Sequence, residues 1–147
     1  MLLTGTFPRT LDEKLRISLP KSLREAWGNE GETRLFIAPG IDGTLALFGE
    51  AAYAQMADRF AAVSPHEQDV RNYSRLFFAR TQTVEIDKSG RVRLPAELAA
   101  LAKIEREVVL VGVRDHVELW DKTRWEAFLA QTQPHYDQIA ERAFKKG

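Results

Sequence analysis

Two short segments of the chain place an aspartate four residues ahead of an arginine. The pairs are Asp12 with Arg16 and Asp87 with Arg91. A short carboxylate accepts backbone N–H bonds and so sets a turn, and a planar guanidinium offers forked donors that match phosphate oxygens or the N7/O6 edge of guanine. The spacing indicates two turns that each present an arginine to a nucleic acid. An alternative stays open, in which each aspartate only pairs with its arginine, although an exposed pair contributes just about 0–1 kcal/mol.

Further cations accompany these turns. Lys14 and Lys88 add a second positive charge to each turn, and Arg93 lies on the polar face of the strand that follows the second turn. Together with Arg16 and Arg91, they are the predicted DNA-binding residues.

The two segments belong to a longer internal repeat. Residues 11–20 and 86–95 both read apolar-Asp-x-x-x-Arg-apolar-x-Leu-Pro, at an offset of 75 residues. Residues 45–48 then correspond to 117–120, at an offset of 72 residues. The three lost positions fall in the glycine-rich turn 40–43, where changes of length cost little. The chain is therefore predicted to hold two diverged copies of one unit.

The residues after each Asp–Arg pair predict a strand and a short helix. Residues 16–19 and 91–94 alternate polar and apolar side chains, as a strand with one buried face does. Pro20 and Pro95 suit the first position of a helix. Short helices are therefore predicted over residues 21–27 and 96–103.

Other signals mark a hairpin and two helix starts. Asp42-Gly43 between apolar runs predicts a hairpin turn, and Asp121 is a predicted N-cap. Ser64 and Glu67 predict the start of a helix between the copies. The predicted organisation is a first unit, a connecting helix, a second unit and a C-terminal helix, over residues 7–54, 64–80, 83–126 and 134–146.

The Asp–Arg turn, followed by a proline-initiated helix, resembles the swapped-hairpin AbrB motif. Two such copies with a helical insert such as 71–77 between them resemble the MraZ family, as do residues 109–112, 118–121 and Trp125 of the second copy. The likeness covers most of the chain. It implies an α+β fold in which two AbrB-like swapped-hairpin units form a pseudo-symmetric β core, with helices between and after the copies.

The resemblance also implies a function. MraZ proteins are bacterial transcription regulators encoded with division and cell-wall genes, and they bind direct repeats in their own promoter as ring-like homo-oligomers. The implied protein is a repressor whose partners are double-stranded DNA and further copies of itself. It is expected in the cytoplasm, associated with the nucleoid. The family's DNA-contacting arginine falls on Arg16 and Arg91, its turn aspartate on Asp12 and Asp87, and its lysine on Lys14.

Each copy departs from the family motif at one or two positions. The second copy has Ser89 at the lysine position, with Lys88 one place earlier. Leu15 stands where the family has glycine, whereas the second copy keeps Gly90, which joins the two aspartates as a predicted turn-setting residue. If this position requires a positive φ, leucine costs roughly 1–2 kcal/mol. We therefore expect the first turn to be reshaped.

The composition and the spacing of the three histidines give no support to an enzyme, a metal site or a membrane protein. Lys and Arg total 21, as do Asp and Glu, so the formal net charge is zero and composition lends DNA binding no support. There is no cysteine, and no apolar run approaches the roughly 18 residues that cross a bilayer. His66, His116 and His135 show no metal-ligand spacing and are predicted to be solvated. No enzyme, cofactor or membrane association is predicted.

A second hypothesis stays open beside the regulator. The chain can instead be an AbrB-like protein-interaction or antitoxin-type module with weak DNA binding, which the neutral net charge favours. The salt dependence of DNA affinity distinguishes the two, because phosphate contacts make affinity fall as salt rises.

Overall fold

The computed structural model describes residues 2–27 and 33–145. The strands are β1 (Thr6–Thr10), β2 (Arg16–Ser18), β3 (Arg34–Pro39), β4 (Leu45–Phe48), β5 (Gln82–Glu85), β6 (Arg91–Arg93), β7 (Glu107–Val113) and β8 (His116–Asp121). The helices are α1 (Lys21–Ala26), α2 (Glu50–Ala61), α3 (Gln68–Arg80), α4 (Ala96–Leu101), α5 (Lys122–Thr132) and α6 (Tyr136–Phe144). None of the helices within these described ranges is long and apolar enough to cross a membrane.

Six strands form one antiparallel sheet in the order β1-β7-β8-β4-β3-β5. Exchanging each strand for its repeat counterpart gives the same order read from the opposite edge of the sheet. The first strand of each copy pairs with a strand of the other copy, because β1 pairs with β7 and β5 pairs with β3. The α+β fold with a pseudo-symmetric β core is therefore confirmed, and the two copies share one sheet.

The register at the centre of the sheet places the symmetry axis. Ala46 lies opposite Glu118 in the pairing of β4 with β8. These two residues are repeat counterparts at the offset of 72, so the pseudo-twofold axis passes between them. The Asp42-Gly43 hairpin is also confirmed, since it joins β3 to β4 and both residues have a positive φ.

The strands β2 and β6 form a separate antiparallel pair, which we call the ribbon. Its inward side chains, Ile17 and Val92, are completely buried in the main apolar core. Burying an aliphatic side chain of this size contributes about 1.5–3 kcal/mol. The core thus fixes which face of the ribbon points outward.

A second, aromatic cluster lies between the sheet and the helices α2 and α3. Phe36 stacks on Tyr53 with ring centroids 4.4 Å apart, and Phe77 is buried beside Phe48. The Tyr53 hydroxyl lies 2.9 Å from the Thr81 hydroxyl. These contacts attach both helices to the sheet.

The two short helices begin at Lys21 and Ala96 as predicted, whereas the role of their prolines and the start of the connecting helix differ from prediction. Pro20 and Pro95 are N-caps, one residue before the first helical position. The connecting helix begins at Gln68 because Ser64 closes a turn ahead of it, where its Oγ accepts the N–H of His66 at 3.2 Å.

The two C-terminal helices follow their predicted signals more closely. The N-cap role of Asp121 is confirmed, since its Oδ2 accepts the N–H of Thr123 at 3.2 Å. Pro134 lies in a short 3-10 turn, so the last helix starts at Tyr136. The predicted end of that helix at Lys146 lies outside the described residues.

Candidate nucleic-acid interface

Asp12 organises the first turn, residues 12–15, through both of its carboxylate oxygens. Its Oδ1 accepts the backbone N–H groups of Lys14 and Arg16 at 2.9 and 2.8 Å. Its Oδ2 accepts Nε of Arg16 at 2.7 Å. One carboxylate therefore sets the backbone of the turn and anchors the arginine.

Asp87 repeats this arrangement in the second turn, residues 87–90. Its Oδ1 accepts the N–H groups of Ser89 and Arg91 at 2.9 and 3.0 Å, and its Oδ2 accepts Nε of Arg91 at 3.1 Å. The two turns therefore have matching hydrogen bonds.

The expectation that the first turn is reshaped is wrong. Leu15 has a φ of 60° and Gly90 a φ of 79°, so both copies adopt the left-handed conformation. The aspartate hydrogen bonds hold the leucine in this conformation, and its half-buried side chain packs against the main core. That packing offsets the roughly 1–2 kcal/mol cost of the backbone conformation.

The hydrogen bonds keep both carboxylates ionised. The backbone N–H of Arg16, aided by its guanidinium, lowers the pKa of Asp12 to about 2. The backbone N–H of Arg91 is likewise the largest cause that lowers the pKa of Asp87. Each anchoring carboxylate thus carries its charge through neutral and mildly acidic pH.

The ribbon gathers residues from both copies on its outer face. Arg16 lies opposite Arg93, and Ser18 lies opposite Arg91. Successive side chains of a strand point to opposite faces, so these four residues share the face that is turned away from the core. Two backbone hydrogen bonds extend the pairing at the ends of the ribbon: the N–H of Leu19 donates to the carbonyl of Gly90, and the N–H of Leu94 donates to the carbonyl of Leu15.

The motif arginines on this face are anchored by their aspartates through one nitrogen each. The side chains of Arg16 and Arg91 are 29% and 36% exposed, and each makes its carboxylate contact through Nε. Within residues 2–27 and 33–145, their terminal amino groups make no hydrogen bond, and Arg93 is exposed without an ion pair. Pairing with aspartate and presentation to a ligand are therefore compatible.

Lys14 and Lys88 are exposed in the two turns. Because β2 and β6 are antiparallel, the turns that precede them lie at opposite ends of the ribbon. All five predicted DNA-binding residues thus lie on the ribbon or in its two adjoining turns.

Sequence reasoning missed two arginines beside this face. Arg9 donates from Nε to the carbonyl of Ser18 at 3.1 Å. Arg24 lies against Gly90, where an added Cβ would come within 2.9 Å of its Cζ. Their repeat counterparts are Val84 and Ala99, so comparison of the two copies gave no signal for either arginine.

The prediction of a solvated histidine is wrong for His116. It is half-buried, its Nδ1 lies 2.8 Å from Asp115 Oδ1, and its ring stacks on Phe48. The residue lines a cavity of about 820 Å³ on the far side of the sheet from the main core. Among the described residues, no group of three or more potential ligands is placed to hold a metal ion.

The sequence profile of the MraZ family, a group described as antitoxin-like, matches residues 2–76 and 77–147. The chain belongs to the MraZ family. Its membership covers both copies, and the two matched segments meet inside α3. The finer unit boundaries at 7–54 and 83–126 stay predictions.

Named relatives in the MraZ family match nearly the whole chain. The "Transcriptional regulator MraZ" of Mycoplasmoides gallisepticum is 34% identical over 137 residues, which cover 93% of this chain and 94% of the relative. The proteins of the same name from Moorella thermoacetica and Carboxydothermus hydrogenoformans are 32% and 35% identical over 138 residues, and each match covers 94% of both chains.

Proposed function

We propose that this chain is a sequence-specific DNA-binding transcription regulator. The observation that carries the proposal is the outer face of the ribbon, where aspartates anchor Arg16 and Arg91 and Arg93 adds a third cation. A two-stranded ribbon fits the major groove of B-DNA, and arginine is the commonest reader of guanine there. The names of the relatives, which are regulators rather than enzymes, support the same proposal.

The proposed regulator represses the bacterial division and cell-wall gene cluster by binding direct repeats in its own promoter. It acts in the cytoplasm at the nucleoid and requires no cofactor. Arg16, Arg91, Arg93, Lys14 and Lys88 contact the DNA in this proposal, while Asp12, Asp87 and Gly90 set the turns.

Homo-oligomerisation, in a ring, is part of the proposal. One ribbon spans only a few base pairs, and linking several copies raises their effective concentration along the DNA. Large apolar side chains remain exposed and are available for contacts between copies: Leu2, Ile41, Leu76, Tyr136 and Phe144. Light scattering after size exclusion tests this part, and a stable monomer at micromolar concentration would contradict it.

Fluorescence anisotropy with a labelled duplex from the chain's own upstream region tests DNA binding. We expect Arg16→Ala and Arg91→Ala to abolish specific binding while the melting temperature stays close to that of the wild type. Arg114→Ala is the matched control, because Arg114 is exposed near Leu3, at the other end of β1 from the first turn. Retained specific binding in the two ribbon variants would refute the proposal.

A second candidate is the protein-interaction or antitoxin-type module. The antitoxin-like description of the family and the zero net charge favour it. Such a module would bind the duplex weakly even at low salt. The affinity of the regulator would instead fall steeply with salt. The slope of the logarithm of the binding constant against the logarithm of the salt concentration is about −0.9 for each neutralised phosphate.

A further inference from the structure

We propose that Arg24 is an additional DNA-binding residue, which contacts a backbone phosphate beside the second turn and is positioned there by Gly90. The inference rests on the proposed DNA-binding function. It concerns a residue outside the Asp–Arg motif and outside the repeat.

Arg24 covers the backbone of the second turn. A Cβ on Gly90 would lie 2.9, 3.0 and 3.2 Å from Cζ, Nε and Nη1 of Arg24. Three guanidinium atoms at such similar distances place the group across the glycine. Its Nε also donates to the carbonyl of Leu19 at 3.4 Å, and the N–H of Leu19 donates to the carbonyl of Gly90. Gly90 is buried under this contact, while Arg24 itself stays exposed.

The first turn shows that the fold does not need this arginine. The counterparts of Gly90 and Arg24 are Leu15 and Ala99. With those residues, the first turn has the same hydrogen-bond pattern and the same left-handed residue as the second. A turn of this type therefore forms without a guanidinium above it, so holding the turn does not require Arg24 and leaves its guanidinium available for a ligand.

Its electrostatic surroundings favour an anion. No carboxylate lies within 4.0 Å of Arg24 in the part of the chain that the structure describes. Lys88 and Arg91 belong to the turn and strand at this end of the ribbon, and Arg9 binds the carbonyl of Ser18, which lies opposite Arg91. Asp87 neutralises part of the charge of Arg91, but Arg24 and Arg9 contact only carbonyls there, so this end of the ribbon keeps cations that can attract phosphate and release its counterions.

The two ends of the ribbon are consequently unequal. The first turn carries Glu13 beside Lys14, whereas the second carries Lys88 with Arg24 above the turn. We infer that the second-turn end binds the phosphate backbone more strongly, and that Arg24 supplies this difference.

Salt-dependent anisotropy on the full-length protein tests the role of Arg24. Arg24→Gln removes the charge with little loss of size, and Arg24→Lys keeps the charge. We expect Arg24→Gln to weaken binding about fivefold to tenfold near 0.1 M salt and to reduce the log–log salt slope by about 0.9 for each bound chain. Arg24→Lys should keep the wild-type slope. Arg114→Gln, which removes an equal charge far from the ribbon, should match the wild type in both respects.

Two results would overturn the inference. One is an unchanged slope in Arg24→Gln, and the other is a slope that falls equally in the Gln and Lys variants, because charge would then not be the cause. Failure here is distinct from failure of the proposed function. If only the inference fails, the wild type still binds DNA and Arg16→Ala does not. If the proposed function fails, the wild type itself shows no salt-dependent binding.

Discussion

Ile17 lies opposite Val92 at the centre of the ribbon, and each is the repeat counterpart of the other. The pseudo-twofold axis therefore passes between these two buried side chains. On the outer face, the same axis relates Arg16 to Arg91 and Ser18 to Arg93. The register that places Ile17 opposite Val92 thus fixes where the two motif arginines lie relative to each other.

This relationship predicts that the two core residues are coupled. Ile17→Val removes one methylene and should cost about 0.5–1.5 kcal/mol, and Val92→Ile should cost about 1–3 kcal/mol through overpacking. The double exchange conserves volume across the axis, so its cost should be well below the sum of the two. Urea unfolding of the four proteins measures this coupling. Strict additivity would contradict direct packing across the axis.

Asp12→Asn should weaken DNA binding although it makes the chain more positive. The amide oxygen can still accept the two backbone N–H bonds, but the amide NH₂ would face Nε of Arg16, donor against donor. Arg16 would then lose its anchor. If attraction by net charge alone governs binding, the variant will bind more tightly than the wild type. Anisotropy at constant salt separates these outcomes.

Stability should fall in acid as Asp12 takes up a proton. Its pKa in the folded chain is about 2, below the ordinary value of 3.8. A lowered folded-state pKa means that the stabilisation is complete above the unfolded-state value and is lost as the pH falls from about 4 toward 2. Asp12→Asn should therefore differ most from the wild type above pH 4. Denaturant unfolding at several pH values checks this, and a constant difference down to pH 2 would count against it.

Substitutions at the left-handed position should affect the two turns differently. Leu15→Gly removes the backbone strain of the left-handed conformation but loses packing against the core. The free energy of unfolding should therefore change by no more than about 1 kcal/mol. Gly90→Leu puts a side chain at a φ of 79° and displaces the flexible Arg24 guanidinium, so it should cost about 1–2 kcal/mol. Thermal melts of both variants provide the comparison, and equal harm from the two changes would be inconsistent with these turns.

The sequence predicted the repeat, the strands around each turn and the position of the motif arginines, because both copies carry the same pattern. The resemblance implied swapped-hairpin units, but the pairing of each first strand with the other copy was not predicted, since local periodicity does not reveal which strand pairs with which. Arg24 was missed because a feature present in one copy leaves no trace in a comparison of two. The geometry around Leu15 was mispredicted because tertiary packing and hydrogen bonds outweighed its backbone preference.

The exchange of β1 and β5 has a consequence for how the molecule holds together. Either half, separated at the junction of the two family matches, would lack the neighbour for its own first strand and would expose an unsatisfied sheet edge. The tandem chain is thus equivalent to a tethered dimer. Its peptide link makes the pairing of the two halves a folding step within one molecule, even though the halves differ, with leucine in one turn and glycine beneath an arginine in the other.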